Sequence, residues 1–176
     1  VARVLIVGGG CRGRRLGGEL VDRGHAVRIT TRAQDGRPEI ESAGCECWIG
    51  TPDRIGSLRY ALENVSVLCW VLGTATGDPE RVGELHGSRL EFMLSQTIDT
   101  TVRGVVYEAA GTVDRPRLAA GAAVVGEWAA FNRVPHRILD CDPAAGDLWV
   151  SGAVTAVEGL LGVIAGGGRP GPDAGR

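Results

Sequence analysis

The chain has 176 residues, 44% hydrophobic and 23% charged, which suits one ordinary globular domain with a sizeable core. Nineteen basic against twenty-one acidic residues leave a formal net charge of −2, so nothing draws it broadly to nucleic acid or anionic lipid. No apolar run is expected to reach the roughly 20 residues of a membrane helix. The opening residues lack the pattern of a secretory signal, which points to a cytoplasmic protein.

Residues 4–7 read as a first strand, and residues 12–23 as a helix with Gly13, Leu16, Gly17 and Leu20 on one face. Residues 26–31 (AVRITT) form a second strand. A short helix over 38–43 leads to a third strand at 45–50. A helix over 53–63 precedes the apolar run 65–72 (VSVLCWVL), typical of a strand covered on both faces. A long helix over 84–100 is followed by a strand at 104–107, a helix at 117–131, and a proline-opened edge strand at 135–139. Val150, Val154, Val157, Leu161 and Ile164 stripe a closing helix. Six strands alternating with helices predict an α/β, doubly wound parallel sheet in the order 3-2-1-4-5-6. One domain covers residues 1–165, and 166–176 (GGGRPGPDAGR) reads as a disordered tail.

Every basic residue other than histidine is arginine; lysine is absent, which excludes Schiff-base and lysine chemistry from this chain. The odd set Cys11, Cys45, Cys47, Cys69 and Cys141 fits reduced thiols. Cys45 and Cys47, two apart on a strand, face the same way as apolar core groups rather than as metal ligands.

The segment VLIVGGGCRGRRL, residues 4–16, carries the chemistry. Gly8, Gly10 and Gly13 supply G-x-G-x-x-G between a strand and a helix: a tight turn, close approach of backbone to a pyrophosphate, and close helix–strand packing. Helix N–H groups then face the anion. Cys11 and Arg12 complete the loop. About 20 residues on, where NAD-binding domains place an acid for the ribose, the chain reads Thr30-Thr31-Arg32. Thr31 and Arg32, with Arg12 on the approach, suit a 2′-phosphate, so NADP is expected over NAD.

These motifs resemble those of the extended and atypical short-chain dehydrogenase/reductases, the epimerase and nitrogen-metabolite-regulator branch. RGHAVRITTR (23–32) is similar to that family's GHxVxxxxR. WIGTPDRIGSLRYALENVSVLCWVLG (48–73) resembles GDLxDxxSLxxAxxGxDxVxxxA, and VRGVVYEAAGTV (102–113) takes the place of xxFVYxSSxxVY. The resemblance covers roughly residues 3–143. It implies that Gly50 and Thr51 lie near adenine, that Gly73 and Thr74 flank the pyrophosphate and ribose, and that the helices at 84–100 and 117–131 pair in a homodimer. Trp128 is then either an interface anchor or core.

The resemblance fails at the chemistry. The family's reductases use a tyrosine four residues before a lysine, together with a serine; here neither Tyr60 nor Tyr107 begins such a motif, and Ala109 and Ala110 replace the serine. Tyr107, Glu108 and Thr112 stand at the ligand-binding edge of the fifth strand, and His86 opens the long helix. Each has a bland alternative: Tyr107 in the core, Glu108 a solvated or capping carboxylate, His86 on the surface. Two readings follow: an NADP-dependent oxidoreductase or epimerase-like enzyme with a non-standard site and a small-molecule substrate, or a catalytically silent dinucleotide sensor or partner subunit.

Overall fold

Six parallel strands lie in the order β3-β2-β1-β4-β5-β6, as the alternation of apolar runs predicts. The computed structural model describes residues 2–167. The strands are β1 Arg3–Gly8, β2 Ala26–Thr31, β3 Glu46–Ile49, β4 Val67–Val71, β5 Gly104–Glu108 and β6 His136–Leu139. The helices are α1 Gly10–Asp22, α2 Arg37–Ser42, α3 Pro79–Leu85, α4 Ser88–Thr97, α5 Arg115–Asn132 and α6 Asp147–Gly166. α1, α2 and α6 pack on one face of the sheet and α3, α4 and α5 on the other, so β4 and β5 are buried at every residue. The register sets Gly8 beside Val71 and Glu108 beside Leu139. The carboxyl ends of β1, β4, β5 and β6 thereby share one edge, with the order reversing between β1 and β4.

Three elements differ from expectation. The segment 53–63 is not α-helical; Ile55–Leu62 is a 3-10 helix, in which Ile55, Leu58 and Ala61 recur every third residue and are buried. The long helix at 84–100 is two, α3 beginning earlier at Pro79 and α4 starting at Ser88. Asp78 accepts the N–H groups of Glu80 and Arg81 to start α3, and Gly87, at φ −131° and ψ −108°, separates the pair. Third, α6 has 20 residues, of which an 18-residue stretch has mean hydropathy 1.7, long and apolar enough by length and composition to cross a bilayer. The sequence pattern understated it. One face of α6 (Trp149, Val150, Ala153, Val154, Val157 and Leu160) is buried in the core.

The expected disorder of 166–176 concerns residues outside those described from 168 onward; Gly166 itself closes α6. Cys45 and Cys47 are buried in the same core layer, and burial pushes the thiols of Cys45 and Cys69 up to about 11 and about 12. Trp128, on α5, packs half-buried against the core of that face, while Phe92, Ile98 and Phe131 stand exposed on α4 and α5 or just beyond α4.

α5 lies close on the sheet at one glycine. A Cβ on Gly121 would stand 2.0 Å from the Tyr107 hydroxyl, whereas one on Gly126 would meet nothing within 4 Å. Gly121→Ala is therefore expected to destabilise by about 1–3 kcal/mol, and Gly126→Ala to stabilise by about 0.5–1 kcal/mol. Urea midpoints of the two variants, moving in opposite directions, check this.

Candidate functional site

The chain leaves β1 through three consecutive glycines in left-handed geometry, and α1 begins at once. Gly13 is where helix and strand nearly touch: a Cβ there would be 2.7 Å from the Gly8 carbonyl oxygen. Gly10, at φ +50°, has nothing within 4 Å of where its Cβ would be, and its outer side is open. α1 has no side-chain cap and no acid in its first turn. Helix geometry therefore leaves the N–H groups of Gly10, Cys11 and Arg12 without intrahelical partners.

They face a cleft of about 1010 Å³. It runs from Arg32 at the end of β2, over Gly10, Cys11 and Arg12, past Thr74 on the β4–α3 loop to Thr112, and ends against Asp142–Gly146 after β6. Of the candidate residues, Gly10, Cys11, Arg12, Arg32, Thr74 and Thr112 line it. Gly8 and Gly13 lie behind it as packing positions. Gly73 lies between the lining residues Leu72 and Thr74. Thr31 turns its hydroxyl to the Ala33 carbonyl (3.4 Å), and Gly50 donates its N–H to the Thr31 carbonyl (2.9 Å). Thr51 is engaged with Asp53 (3.1 Å) and Ser57 (2.9 Å). Thr31, Gly50 and Thr51 are not in the cleft wall.

Sequence reasoning missed Arg15 and the Asp142–Gly146 turn. Their signal was positional: the turn follows the carboxyl end of a parallel strand, where this topology binds ligands, and Arg15 lies in the turn of α1 that follows the loop.

Arg12 does not reach toward the end of β2. Its guanidinium crosses the strand ends to Glu108, Nη2 donating to Oε1 at 2.6 Å and Nε to Oε2 at 3.0 Å. Nη1 donates to Thr74 Oγ1 (2.9 Å) and the Gly9 carbonyl (3.4 Å), and the Trp149 ring centroid lies 5.4 Å from the guanidinium. Glu108 is fully buried rather than solvated, and its Oε1 also accepts the Gly73 N–H at 2.7 Å. A carboxylate so held is poorly placed to shuttle protons.

His86 is not on the surface but in the interior, at 2% exposure. Its Nδ1 lies 2.6 Å from the Tyr107 hydroxyl and its Nε2 3.1 Å from the Leu72 carbonyl. In the neutral ring that fits both contacts, Nε2–H donates to Leu72 and Nδ1 accepts from Tyr107. Burial holds His86 below the usual histidine range, against the raising effect of the Leu72 carbonyl; burial, with Glu108 nearby, raises Tyr107. Neither side chain lines the cleft. They brace the β4 end from within the α3–α5 layer.

Beside Arg32, Asp53 is gripped by Arg81: Nε to Oδ1 and Nη2 to Oδ2, both 2.6 Å. These bonds, against partial burial, hold its carboxyl below the usual range, with help from Thr51 and the charges of Arg81 and Arg32.

No family model and no curated protein matches the chain. Solved structures do. UDP-glucose 4-epimerase of Thermotoga maritima, with UDP-glucose, superposes at TM-score 0.62 and 10% identity over 77% of this chain and 54% of that one. UDP-glucuronic acid 4-epimerase of Bacillus cereus, in complex with NAD, gives 0.62 and 13% over 77% and 54%. The Citrobacter sp. triphenylmethane reductase complexed with NADP(H) gives 0.59 and 16% over 78% and 48%. The chain spans about half the length of these proteins. Its fold is the Rossmann fold they share.

Removing Arg12 strands a buried carboxylate. Arg12→Leu is expected to cost about 3–5 kcal/mol, and the double variant with Glu108→Leu to recover most of it; chemical denaturation of the three proteins gives the coupling. His86 adds a pH dependence. Its folded pKa is below its unfolded one, so the unfolded chain takes up the proton first, and the stability is complete above the unfolded value and lost as pH falls. Between about pH 7 and pH 5 the wild type should lose more stability than His86→Gln, read as the difference in urea midpoints.

Proposed function

We propose that the chain binds NADP in this cleft, as the nucleotide-binding part of an oxidoreductase- or epimerase-like protein. The observation that carries the reading is the open N-terminus of α1, with no acid in its first turn, facing a cleft that also holds Arg15 and Arg32. Unpaired amides and a helix dipole suit a diphosphate, and a guanidinium at the end of β2 suits a phosphorylated ribose better than a free one. Solved proteins of this fold, complexed with NAD and with NADP(H), support a nicotinamide dinucleotide.

A second reading, a catalytically silent NADP sensor, is favoured by the state of the titratable groups. Tyr107 and His86 are sealed together, Glu108 is ion-paired beneath Arg12, and the chain has no lysine. Substrate proton transfer would fall to other groups, of which Thr112 and Asp142 line the cleft.

Calorimetry with NADP and NAD, followed by NADPH oxidation against a panel of carbonyls and quinones, separates the cases. Binding with turnover supports the enzyme, binding without it the sensor, and no binding refutes both. Arg32→Ala is expected to weaken NADP about tenfold, or about 1.4 kcal/mol, with NAD little changed; equal affinity for the two in the wild type would sink the arginine argument.

A further inference from the structure

The residue proposed to select the 2′-phosphate has a carboxylate beside it. Arg32 Nη2 lies 3.7 Å from Asp53 Oδ2, beyond hydrogen-bond distance. A free carboxylate there would repel a 2′-phosphate and would accept bonds from an unphosphorylated ribose, the task of the acid missing from β2. Asp53 is not free. Arg81, from the first turn of α3, covers both of its oxygens in a bidentate pair, and Arg89 donates to its carbonyl. Arg81 Nη1 also donates to the Thr76 carbonyl (3.1 Å), which ties the pair to a loop of the cleft wall. Asp53 and Arg81 both lie outside that wall.

We propose that Arg81 sets the cofactor preference of the cleft: by holding Asp53 it leaves Arg32 for the 2′-phosphate, and without it Asp53 pairs with Arg32 and the preference shifts toward NAD. Arg81 is thus a positioning residue that acts through Asp53. The inference rests on the NADP reading above and deepens it.

Calorimetric Kd values for NADP and NAD with wild type, Arg81→Gln, Asp53→Asn and the double variant test it. Arg81→Gln should lower the ratio of NADP to NAD affinity about tenfold. Asp53→Asn should raise it about threefold, a partly exposed negative charge beside Arg32 having been removed. The double variant should match Asp53→Asn, since nothing remains for Arg81 to hold. If Arg81 only stiffens the loop, Arg81→Gln weakens both nucleotides alike, the ratio stays put, and the proposal is overturned. Should Arg81→Gln fail to fold, Asp53→Asn decides alone: an unchanged or lower ratio overturns the proposal. A wild type that prefers NADP while the variants leave the ratio unmoved refutes only this inference, whereas a wild type that binds neither nucleotide refutes the binding reading and this one with it.

Discussion

A fully buried carboxylate has to be matched by a cation and by hydrogen bonds, and Glu108 determines how the strand ends meet. Its charge on β5 draws Arg12 across from the start of α1, and its Oε1 takes the Gly73 N–H from the loop after β4. Three chain segments, distant in sequence, are thereby fixed around one functional group. Leaving either charge unpaired in that interior would cost several kcal/mol, so the glycine loop, the Thr74 loop and the end of β5 hold together. The ring of Trp149 beside Arg12 brings the start of α6 into the same contact.

Arginines at a helix N-terminus oppose the helix dipole, since cations are unfavourable there. The chain resolves this with acids borrowed from other elements: Arg12 pairs with Glu108 of β5, Arg14 with Glu39 of α2, and Arg15 with Asp147 of α6. These partners offset side-chain charge, fully only at the buried Arg12–Glu108 pair, without occupying the first-turn amides. The helix start remains able to receive an anion, and a net charge of −2 over the whole chain says little about the field at this one edge.

The sheet order and the glycine turn were legible because both are written in local pattern. Apolar runs such as 65–72 announce strands covered on two faces, and the glycine spacing has local causes: Gly8 and Gly13 have no room for a Cβ, and Gly10 takes a positive φ. What escaped was non-local or ambiguous in period. Ile55, Leu58 and Ala61 fit a three-residue repeat as well as a helical one over so short a stretch, and the 3-10 form is the one built. His86 looks like a polar residue on a helix, but the break at Gly87 turns it inward to meet Tyr107 and the Leu72 carbonyl. The direction of Arg12 depended on Glu108, nearly a hundred positions away, and nothing in the loop itself encodes that partner.

The two sides of the cleft follow one electrostatic rule. Glu108 beneath the β4–β5 side and Asp53 beside the β2 end are each held by a bidentate arginine, Arg12 and Arg81 respectively. Such pairs satisfy the carboxylates internally and cancel the negative potential that would otherwise reach the cleft. Asp142, the acid in the lining, is turned to its own loop, where it accepts the Ala144 N–H. Arg32 then has Asp53 only at 3.7 Å, and Arg15 has an Asp147 that is itself largely exposed to water. Pairs so solvated are weak, which leaves these two guanidiniums and the amides of α1 as groups of the cleft that stay open to an anion.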